Sequence, residues 1–214
     1  MKPYYQEGKL GKQLTIYHGD CLEVLTELCC IYDLVLTDPP YGVNLEYDGY
    51  NDSEKNLRQL ISTTFPLIKR SGVVTLLTPG NGNQYLYPEP DWTLCWRVPA
   101  GHTRSRWGFL GWQPILAYGQ DPYIRENMGF REDAFTCNDT SQINGHPCPK
   151  PDKVWKWLLR RGAPHPNDRI IDPFLGSGTT LLAAKELGHE ATGIEQSERY
   201  CEIAAKRIRQ GVLF

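Results

Sequence analysis

Three absences in this 214-residue sequence narrow the class of protein that it encodes. No apolar run of about 18 residues or more occurs, so we expect no helix that spans a membrane. The first ten residues are polar and rich in tyrosine, and they lack the apolar centre of a secretory signal. The seven cysteines are an odd number, which argues against a disulfide framework. Together these features predict a protein of the reducing cytoplasm.

Strong positive charge and metal-ligand spacing are also absent. The formal net charge is −2, whereas nucleic-acid-binding domains often have a pI above about 9. Cys137, Cys148, His102 and His146 match no standard zinc-finger spacing, so we assign no metal. Repeats and low-complexity tracts are missing, and 40% of the residues are apolar. The chain can therefore bury one core, and we expect a single domain over residues 1–214.

The tetrapeptide Asp38-Pro39-Pro40-Tyr41 follows the apolar run Asp33–Thr37 at the end of a predicted strand. Each proline fixes its own φ, lacks an amide donor and restricts the residue before it. The resulting corner offers the Asp38 carboxylate and the Pro39 carbonyl as two acceptors, with the Tyr41 ring beside them. Such a corner can hold an exocyclic amino group on a planar ring. An ordinary strand-to-loop turn is the alternative interpretation, because Asp and Pro are common in turns.

A second motif, Arg169–Thr180, predicts a short strand, a glycine turn and the start of a helix. Gly176 and Gly178 allow the backbone to approach a ligand closely because they have no Cβ. A further strand ends at Glu195, about 20 residues after the turn, the spacing at which an acidic residue meets ribose hydroxyls. A dinucleotide fingerprint would need a third glycine where Leu181 stands, and no Gly-Lys-Ser/Thr loop occurs. The turn therefore suits a nucleoside cofactor without phosphates, and S-adenosylmethionine is the obvious candidate.

Together the two motifs resemble those of the DNA methyltransferases that modify exocyclic amino nitrogens, the adenine-N6 and cytosine-N4 enzymes. The catalytic tetrapeptide precedes the cofactor loop, an order similar to that of the permuted β group of this family. Three further segments agree with the resemblance: Gly19-Asp20-Cys21, Ser71–Pro79, and His146–Pro151 with its His-Pro-x-x-Lys-Pro form. The resemblance is weakest from about residue 81 to 144, where we expect a short target-recognition insert.

The resemblance implies roles for the residues that match family motifs. Asp38, Pro39, Pro40 and Tyr41 would be catalytic, with Tyr41 stacking on a base that has left the duplex. The implied cofactor-binding residues are Asp20, Lys150, Asp172, Phe174, Gly176, Ser177, Gly178, Thr179, Thr180 and Glu195. Among them, Glu195 would accept from the ribose hydroxyls, and Lys150 would be a candidate for the methionine carboxylate. Lys150 as a solvated lysine and Asp20 as a helix cap are the alternative interpretations.

A local cluster of basic and aromatic residues is the best candidate for a DNA contact. Basic side chains can meet phosphates while aromatic rings stack on bases or wedge between them. The predicted nucleic-acid-binding residues are Arg97, His102, Arg104 and Arg106, and the tryptophans around them are Trp92, Trp96, Trp107 and Trp112. Alternatively, the tryptophans are mostly core and the arginines form a solvated rim.

Alternating apolar periodicities predict an α/β fold. We expect a doubly wound, mostly parallel, Rossmann-like methyltransferase sheet in circularly permuted motif order, with an antiparallel end formed by Trp92–Val98 and Phe109–Ala117. Ligands bind beyond the carboxyl ends of such strands. The acidic residues that follow predicted strands should therefore line one rim; they are Asp20, Asp38, Asp172 and Glu195.

Three functions are compatible with these features. The first is a DNA adenine-N6 methyltransferase of the restriction-modification type, which the Asp-initiated tetrapeptide favours within the family. The second is a cytosine-N4 methyltransferase, because both amines offer the same chemistry. The third is a catalytically silent cofactor- or DNA-binding module, which an intact Asp38 and glycine loop disfavour. The short insert is compatible with a very short target site, a homodimer or a single-stranded substrate, and the sequence assigns no restriction partner. We expect a cytoplasmic enzyme of bacterial or phage type.

Overall fold

A nine-stranded sheet forms the centre of the computed structural model, which describes residues 1–99, 104–105, 107–138 and 150–210, with backbone alone at 104–105. The strands in chain order are β1 (Tyr5–Glu7), β2 (Leu14–His18), β3 (Tyr32–Thr37), β4 (Glu46–Tyr47), β5 (Tyr50–Asn51), β6 (Gly72–Leu77), β7 (Trp92–Arg97), β8 (Arg104–Ser105), β9 (Gly108–Phe109), β10 (Trp112–Tyr118), β11 (Ala134–Thr136), β12 (Arg169–Asp172) and β13 (Glu190–Glu195). The helices are α1 (Cys21–Leu28), α2 (Glu54–Thr63), α3 (Phe65–Arg70), α4 (Pro122–Arg125), α5 (Asp152–Gly162), α6 (Thr179–Leu187) and α7 (Glu198–Gln210).

The order of strands across the sheet is β1-β2-β13-β12-β3-β6-β10-β7-β11, while β4–β5 and β8–β9 form separate two-stranded hairpins. Strands β2, β13, β12, β3 and β6 lie side by side in this order, and each pairs in parallel with the next. Strand β10 runs antiparallel to both β6 and β7, which confirms the predicted antiparallel end. Strands β12 and β13, which come near the end of the chain, lie between β2 and β3, which come near its beginning. This insertion brings the two sequence motifs onto adjacent strands and confirms the permuted order.

Helices cover both faces of the sheet, as the alternating side chains of its strands require. Leu34 and Leu36 of β3 belong to the core cluster that contains α5, α6 and α7. Val35, between them, belongs to the cluster of α1 and α3 on the opposite face. A fully buried strand of a parallel sheet carries apolar residues on both faces. The apolar run before the Asp-Pro-Pro-Tyr corner is thus explained by its central position.

Three local features add to what the sequence pattern predicts. The apolar period over Asn56–Ile68 predicts a helix that Pro66 kinks or ends, and the structure has two helices there, with Pro66 in the first turn of α3. In α5 the apolar period predicts that Trp157 faces inward; Trp157 does pack against the core, but the fully buried tryptophan of this helix is Trp155. Trp157 is half-buried and stacks on Phe135, with ring centroids 5.3 Å apart. The partner ring lies on β11, a short parallel edge strand that the polar sequence around it did not reveal.

The carboxyl edge of the parallel strands is where the loops that carry the motifs meet. Asp38 follows β3, Asp172 ends β12 and Glu195 ends β13, while Asp20 follows β2 by two residues. The predicted common rim is therefore present. Among the described residues, none of the helices has the length and apolar character needed to cross a membrane.

Candidate active site

A cavity of about 410 Å³ lies at the carboxyl edge of the sheet. Its lining includes all four rim carboxylates: Asp20, Asp38, Asp172 and Glu195. Small-molecule sites commonly have volumes of about 300–1,000 Å³ and combine apolar walls with a few polar groups. This cavity has that composition, because Leu60, Phe174 and Ile194 line it together with the carboxylates.

The Asp38 carboxylate is held by side chains from three separate segments. Its Oδ1 atom accepts hydrogen bonds from the hydroxyl of Tyr41, at 2.6 Å, and from the hydroxyl of Thr78 at the end of β6. Its Oδ2 atom forms an ion pair with the ammonium group of Lys150. The carboxylate thus has a fixed position although Asp38 lies in a loop.

Tyr41 is oriented by its hydroxyl group and by the loop that follows β6. A Cβ atom at Gly80 would come within 3.0 Å of Cγ of Tyr41, so the glycine allows the backbone to lie against the ring. The Tyr41 hydroxyl donates to Asp38, a contact that the expected stacking role did not anticipate. The amide of Asn83 donates to the backbone carbonyl of Tyr41 at 2.8 Å. These contacts fix the tetrapeptide corner against β6.

Asp172 is the centre of a buried hydrogen-bond network. Oδ1 accepts from the Thr37 hydroxyl at 2.6 Å and from the Phe174 amide at 3.0 Å, while Oδ2 accepts from the Thr180 hydroxyl. The same Thr180 hydroxyl accepts from the indole of Trp155 at 2.8 Å. Burial raises the pKa of Asp172 to about 6 in spite of these donors. The network links β3, β12, α5 and α6 below the cavity floor, so Asp172 and Thr180 have protein partners in addition to their predicted cofactor role.

Glu195 connects the glycine turn to the start of α7. Oε2 accepts from the Gly176 amide and Oε1 from the Ser197 amide, both at 2.8 Å. Each carboxylate oxygen can accept two hydrogen bonds, so each retains one acceptor direction. Burial raises the pKa of Glu195, and the amide donors act in the opposite direction. The residue therefore supports the turn and still offers two acceptors beside the cavity.

The glycine turn combines left-handed backbone with tight packing. Gly176 has φ 53° and Gly178 has φ 86°, a region that L side chains rarely adopt. A Cβ atom at Gly178 would lie 2.8 Å from Cβ of Ala204 in α7. Arg207 of α7 donates to the Ser177 carbonyl at 2.6 Å and also lies within hydrogen-bonding distance of the Ser177 and Thr179 hydroxyls. Arg207 was not predicted, since no motif points to a lysine or arginine in the last helix.

Asp20 is both a helix cap and part of the cavity lining. Its Oδ1 atom accepts from the amides of Leu22 and Glu23 at the start of α1. Those are the only hydrogen bonds to this carboxylate among the described residues, so Oδ2 is available to a ligand. Phe174 is half-buried and lines the cavity.

One wall of the cavity was not anticipated from the sequence. It comes from the β4–β5 hairpin and helix α2 and includes Tyr47, Asp48, Tyr50, Asn56 and Gln59. The hydroxyl of Ser197 donates to Asp48 at 2.6 Å and so ties the hairpin to the start of α7. The buried Asp52 carboxylate accepts amide hydrogen bonds from three residues of the loop after Tyr41: Gly42, Val43 and Leu45. The sequence of this segment is polar and has no clear apolar periodicity. Its position in the cavity wall therefore follows only from its contacts in the folded chain.

The predicted DNA-contact cluster is partly within the described residues. Arg97 is exposed at the end of β7, directly opposite Trp112 of β10, at the same edge of the sheet as the cavity. Trp107, in the β8–β9 connection, is 99% exposed, and Phe109 and Trp112 are also exposed. Trp96 is buried and donates to the Cys137 carbonyl, so the core interpretation holds for this tryptophan. The side chains of His102, Arg104 and Arg106 lie outside the described residues, and their role stays a prediction.

Metal ligation finds no support in the part of the chain that the structure describes. No group of three or more His, Cys, Asp or Glu side chains there is placed to hold a metal ion. The cavity instead offers carboxylate oxygens, hydroxyl groups and a glycine turn, which together suit a polar organic ligand.

Comparison with known proteins finds DNA methylases among the relatives of this chain. A family model described as DNA methylase matches residues 120–206. The type II methyltransferase M.HinfI of Haemophilus influenzae is 41% identical to the chain, over 92% of this sequence and 68% of the relative.

Solved structures share the fold at lower identity. The M1.HpyAVI–SAM complex superimposes with a TM-score of 0.64 at 22% identity, covering 91% of this chain and 98% of the other. The cytosine-N4-specific PvuII DNA methyltransferase gives a TM-score of 0.67 at 15% identity, covering 95% of this chain and 88% of the other. With the Asp38 corner and the glycine turn on one cavity, and with M.HinfI matched along most of its length, the chain belongs to the family of N6/N4 DNA methylases.

Proposed function

We propose that this chain transfers the methyl group of S-adenosylmethionine to the exocyclic N6 of an adenine that has left the DNA duplex. One observation carries the proposal: Asp38, which can accept from an amino group, and Glu195, which can accept from ribose hydroxyls, line the same cavity. The Asp at the first position of the tetrapeptide favours adenine over cytosine within the family. The M1.HpyAVI–SAM complex, which shares the fold, supports the choice of cofactor.

The cavity has the groups that a nucleoside sulfonium compound needs. Glu195 retains an acceptor direction on each oxygen, and Asp20 has a second oxygen without a partner among the described residues. The turn at Gly176–Gly178 is uncharged, which suits a ligand without phosphates. In this arrangement Glu195 would accept hydrogen bonds from the ribose hydroxyls, and Asp20 would contact polar atoms near the adenine end. Phe174 would pack against the apolar surface of the cofactor.

Positioning is the main task of the protein, because S-adenosylmethionine supplies a methyl group that is already activated on a sulfonium sulfur. Holding two reactants in line can lower a barrier by about 7–11 kcal/mol. Asp38 and the carbonyl of Pro39 would accept the two N–H hydrogens of the target amine and draw its lone pair out of conjugation with the ring. The Pro39 carbonyl accepts no hydrogen bond from another described residue, so it is available for this contact.

DNA would approach over the antiparallel end of the sheet. Arg97, Trp107 and Trp112 are exposed there, at the edge that carries the cavity. The amide of Asn81, in the loop after β6, donates to the Trp112 carbonyl and joins this surface to the segment that holds Asp38. With a net charge of −2, the chain must rely on such a local surface rather than on overall charge.

Nucleoside mass spectrometry on methyl-free DNA, incubated with the protein and S-adenosylmethionine, tests the proposal. N6-methyladenine is expected with the wild type and absent with Asp38→Ala, whereas binding of the cofactor persists in that variant. Asp33→Asn, at the opposite end of the same strand, controls for the loss of a carboxylate on β3. N4-methylcytosine would instead establish the second candidate function, which the likeness to the PvuII enzyme supports. Cofactor binding without any methylated nucleoside would contradict the proposal and favour a silent module.

A further inference from the structure

Lys150 has a partner that its place in the sequence did not suggest. The His-Pro-x-x-Lys-Pro resemblance makes it a candidate for the methionine carboxylate. In the structure its ammonium group forms an ion pair with Oδ2 of Asp38 and lies 5.0 Å from the centroid of the Tyr41 ring. The side chains of Lys150 and Asp38 are only 6% and 18% exposed. The lysine thus contacts the group that is expected to hold the target amine.

Counting acceptor directions on Asp38 shows what this contact leaves for a substrate. A carboxylate oxygen accepts about two hydrogen bonds in favourable geometry. The hydroxyls of Tyr41 and Thr78 occupy both directions on Oδ1. Lys150 is the only described partner of Oδ2. One acceptor direction therefore remains, and it belongs to Oδ2.

We propose that Lys150 is a positioning residue for methyl transfer, which holds Asp38 so that Oδ2 has a single free acceptor direction for the target amine. The inference rests on the proposed amino-methyltransferase function. It assigns Lys150 to the part of the site that binds the target nucleobase. The residue is not a cofactor ligand in this assignment.

The geometry around Asp38 supports a positioning role. Tyr41 restrains the carboxylate from within the tetrapeptide, Thr78 from the end of β6 and Lys150 from the segment before α5. A flexible aspartate in a loop would otherwise sample several rotamers, and a displacement of about 1 Å at a reacting centre can cost roughly 100-fold in rate. A charged hydrogen bond in a largely buried site is also stronger than a neutral one. Removal of the ammonium group should therefore reduce turnover more than binding.

Lys150→Met tests this assignment, with Lys150→Arg as the charge-conserving variant and Lys153→Met as the control for loss of a nearby lysine. We expect kcat of Lys150→Met to fall about 10- to 100-fold at saturating DNA and S-adenosylmethionine. The dissociation constants for both ligands, measured by calorimetry and fluorescence anisotropy, should stay within about twofold of the wild type. Lys150→Arg should recover at least part of kcat, because a guanidinium can also pair with the carboxylate.

Other outcomes would overturn the inference. If the Kd for S-adenosylmethionine rose about tenfold while kcat was retained, Lys150 would instead be a ligand of the methionine carboxylate. Weakened DNA binding with a smaller salt dependence would make it a phosphate contact. A loss of kcat that Lys150→Arg does not relieve, together with a lower Tm, would indicate a structural role. An inactive wild type would refute the proposed function as well, whereas an active wild type with an equally active Lys150→Met would refute this inference alone.

Discussion

At the scale of single residues, the carboxylates of the rim differ in how many of their acceptor directions the protein uses. Asp172 accepts three hydrogen bonds from its own protein and is 2% exposed. From the described residues, Glu195 accepts one hydrogen bond on each oxygen, whereas Asp20 accepts hydrogen bonds on one oxygen only. Acidic residues at neighbouring strand ends therefore support the framework at Asp172 and keep acceptor oxygens beside the cavity at Glu195 and Asp20.

Asp172 should give the protein a measurable pH dependence of stability. Burial raises its pKa from 3.8 to about 6, so the folded state favours the protonated form. The resulting stabilisation is complete below the unfolded pKa and is lost as the pH rises through about 6, with a magnitude of about 3 kcal/mol. In urea titrations we expect the unfolding free energy of the wild type, relative to that of Asp172→Asn, to fall by about 3 kcal/mol between pH 4 and 7. A difference that stays constant over this range would contradict the raised pKa.

Glu195→Gln should weaken the binding of S-adenosylmethionine. The substitution removes the negative charge and replaces one acceptor oxygen by a donor, so a ribose hydroxyl loses a charged hydrogen bond worth about 1.5–3 kcal/mol. Calorimetry should show Kd raised about 10- to 100-fold. Glu190→Gln, at the other end of β13, is the matched control and should leave Kd unchanged. Equal affinity in wild type and Glu195→Gln would remove the proposed ribose contact.

At the scale of elements, the glycine turn shows how a helix start and a neighbouring helix restrict the same position. Gly178 precedes α6 with φ 86° and packs against Ala204 of α7. Both constraints disfavour a side chain, one through backbone conformation and the other through space. Arg207 then holds the turn from the same helix, so α7 supports the cavity although it contributes little to the lining.

Gly178→Ala and Gly11→Ala separate these two constraints. Gly11 has φ 80° and no heavy atom within 4 Å of an added Cβ, so its substitution reports backbone strain alone. We expect Gly11→Ala to cost about 1 kcal/mol of unfolding free energy and Gly178→Ala to cost at least about 1 kcal/mol more, because of the contact with Ala204. Chemical denaturation followed by circular dichroism measures both. Equal losses would show that the packing of α7 adjusts freely.

At the scale of the whole molecule, the sheet separates a functional edge from a structural one. The motif loops, the exposed Arg97 and the β8–β9 hairpin belong to the carboxyl edge of the parallel strands. The opposite edge holds the ends of α3 and α5, where Arg70 and Arg160 are exposed. DNA binding by a chain of net charge −2 should therefore depend on which edge an arginine occupies rather than on the number of arginines.

Paired arginine substitutions test this asymmetry. Arg104→Ala with Arg106→Ala should weaken DNA binding and reduce the slope of log Kd against log salt by about 2, roughly one per lost phosphate contact. Arg70→Ala with Arg160→Ala changes net charge equally at the opposite edge and should leave the slope almost unaltered. Fluorescence anisotropy over a range of salt concentrations measures both. Equal effects of the two pairs would indicate that net charge alone determines affinity.

Local sequence determined much of the fold, because strands and helices follow from apolar periodicity and from caps that act within a few residues. Helix α1 begins after Asp20 and helix α6 ends before Gly188, and both residues are of types that commonly cap helices. The family and its two motifs were likewise readable, since proline corners and glycine turns need particular residues in a particular order.

Only the tertiary structure decided which side chain meets which across the sheet. Lys150 lies 112 residues from Asp38, and Thr37 lies 135 residues from Asp172, so no local pattern could pair them. The β4–β5 wall and the support from Arg207 also depend on packing between distant elements. Sequence by itself determined the chemical groups and their strand ends, because these are local properties. The remaining acceptor directions on each carboxylate were decided by the fold, because hydrogen bonding depends on neighbours that only the folded chain brings together.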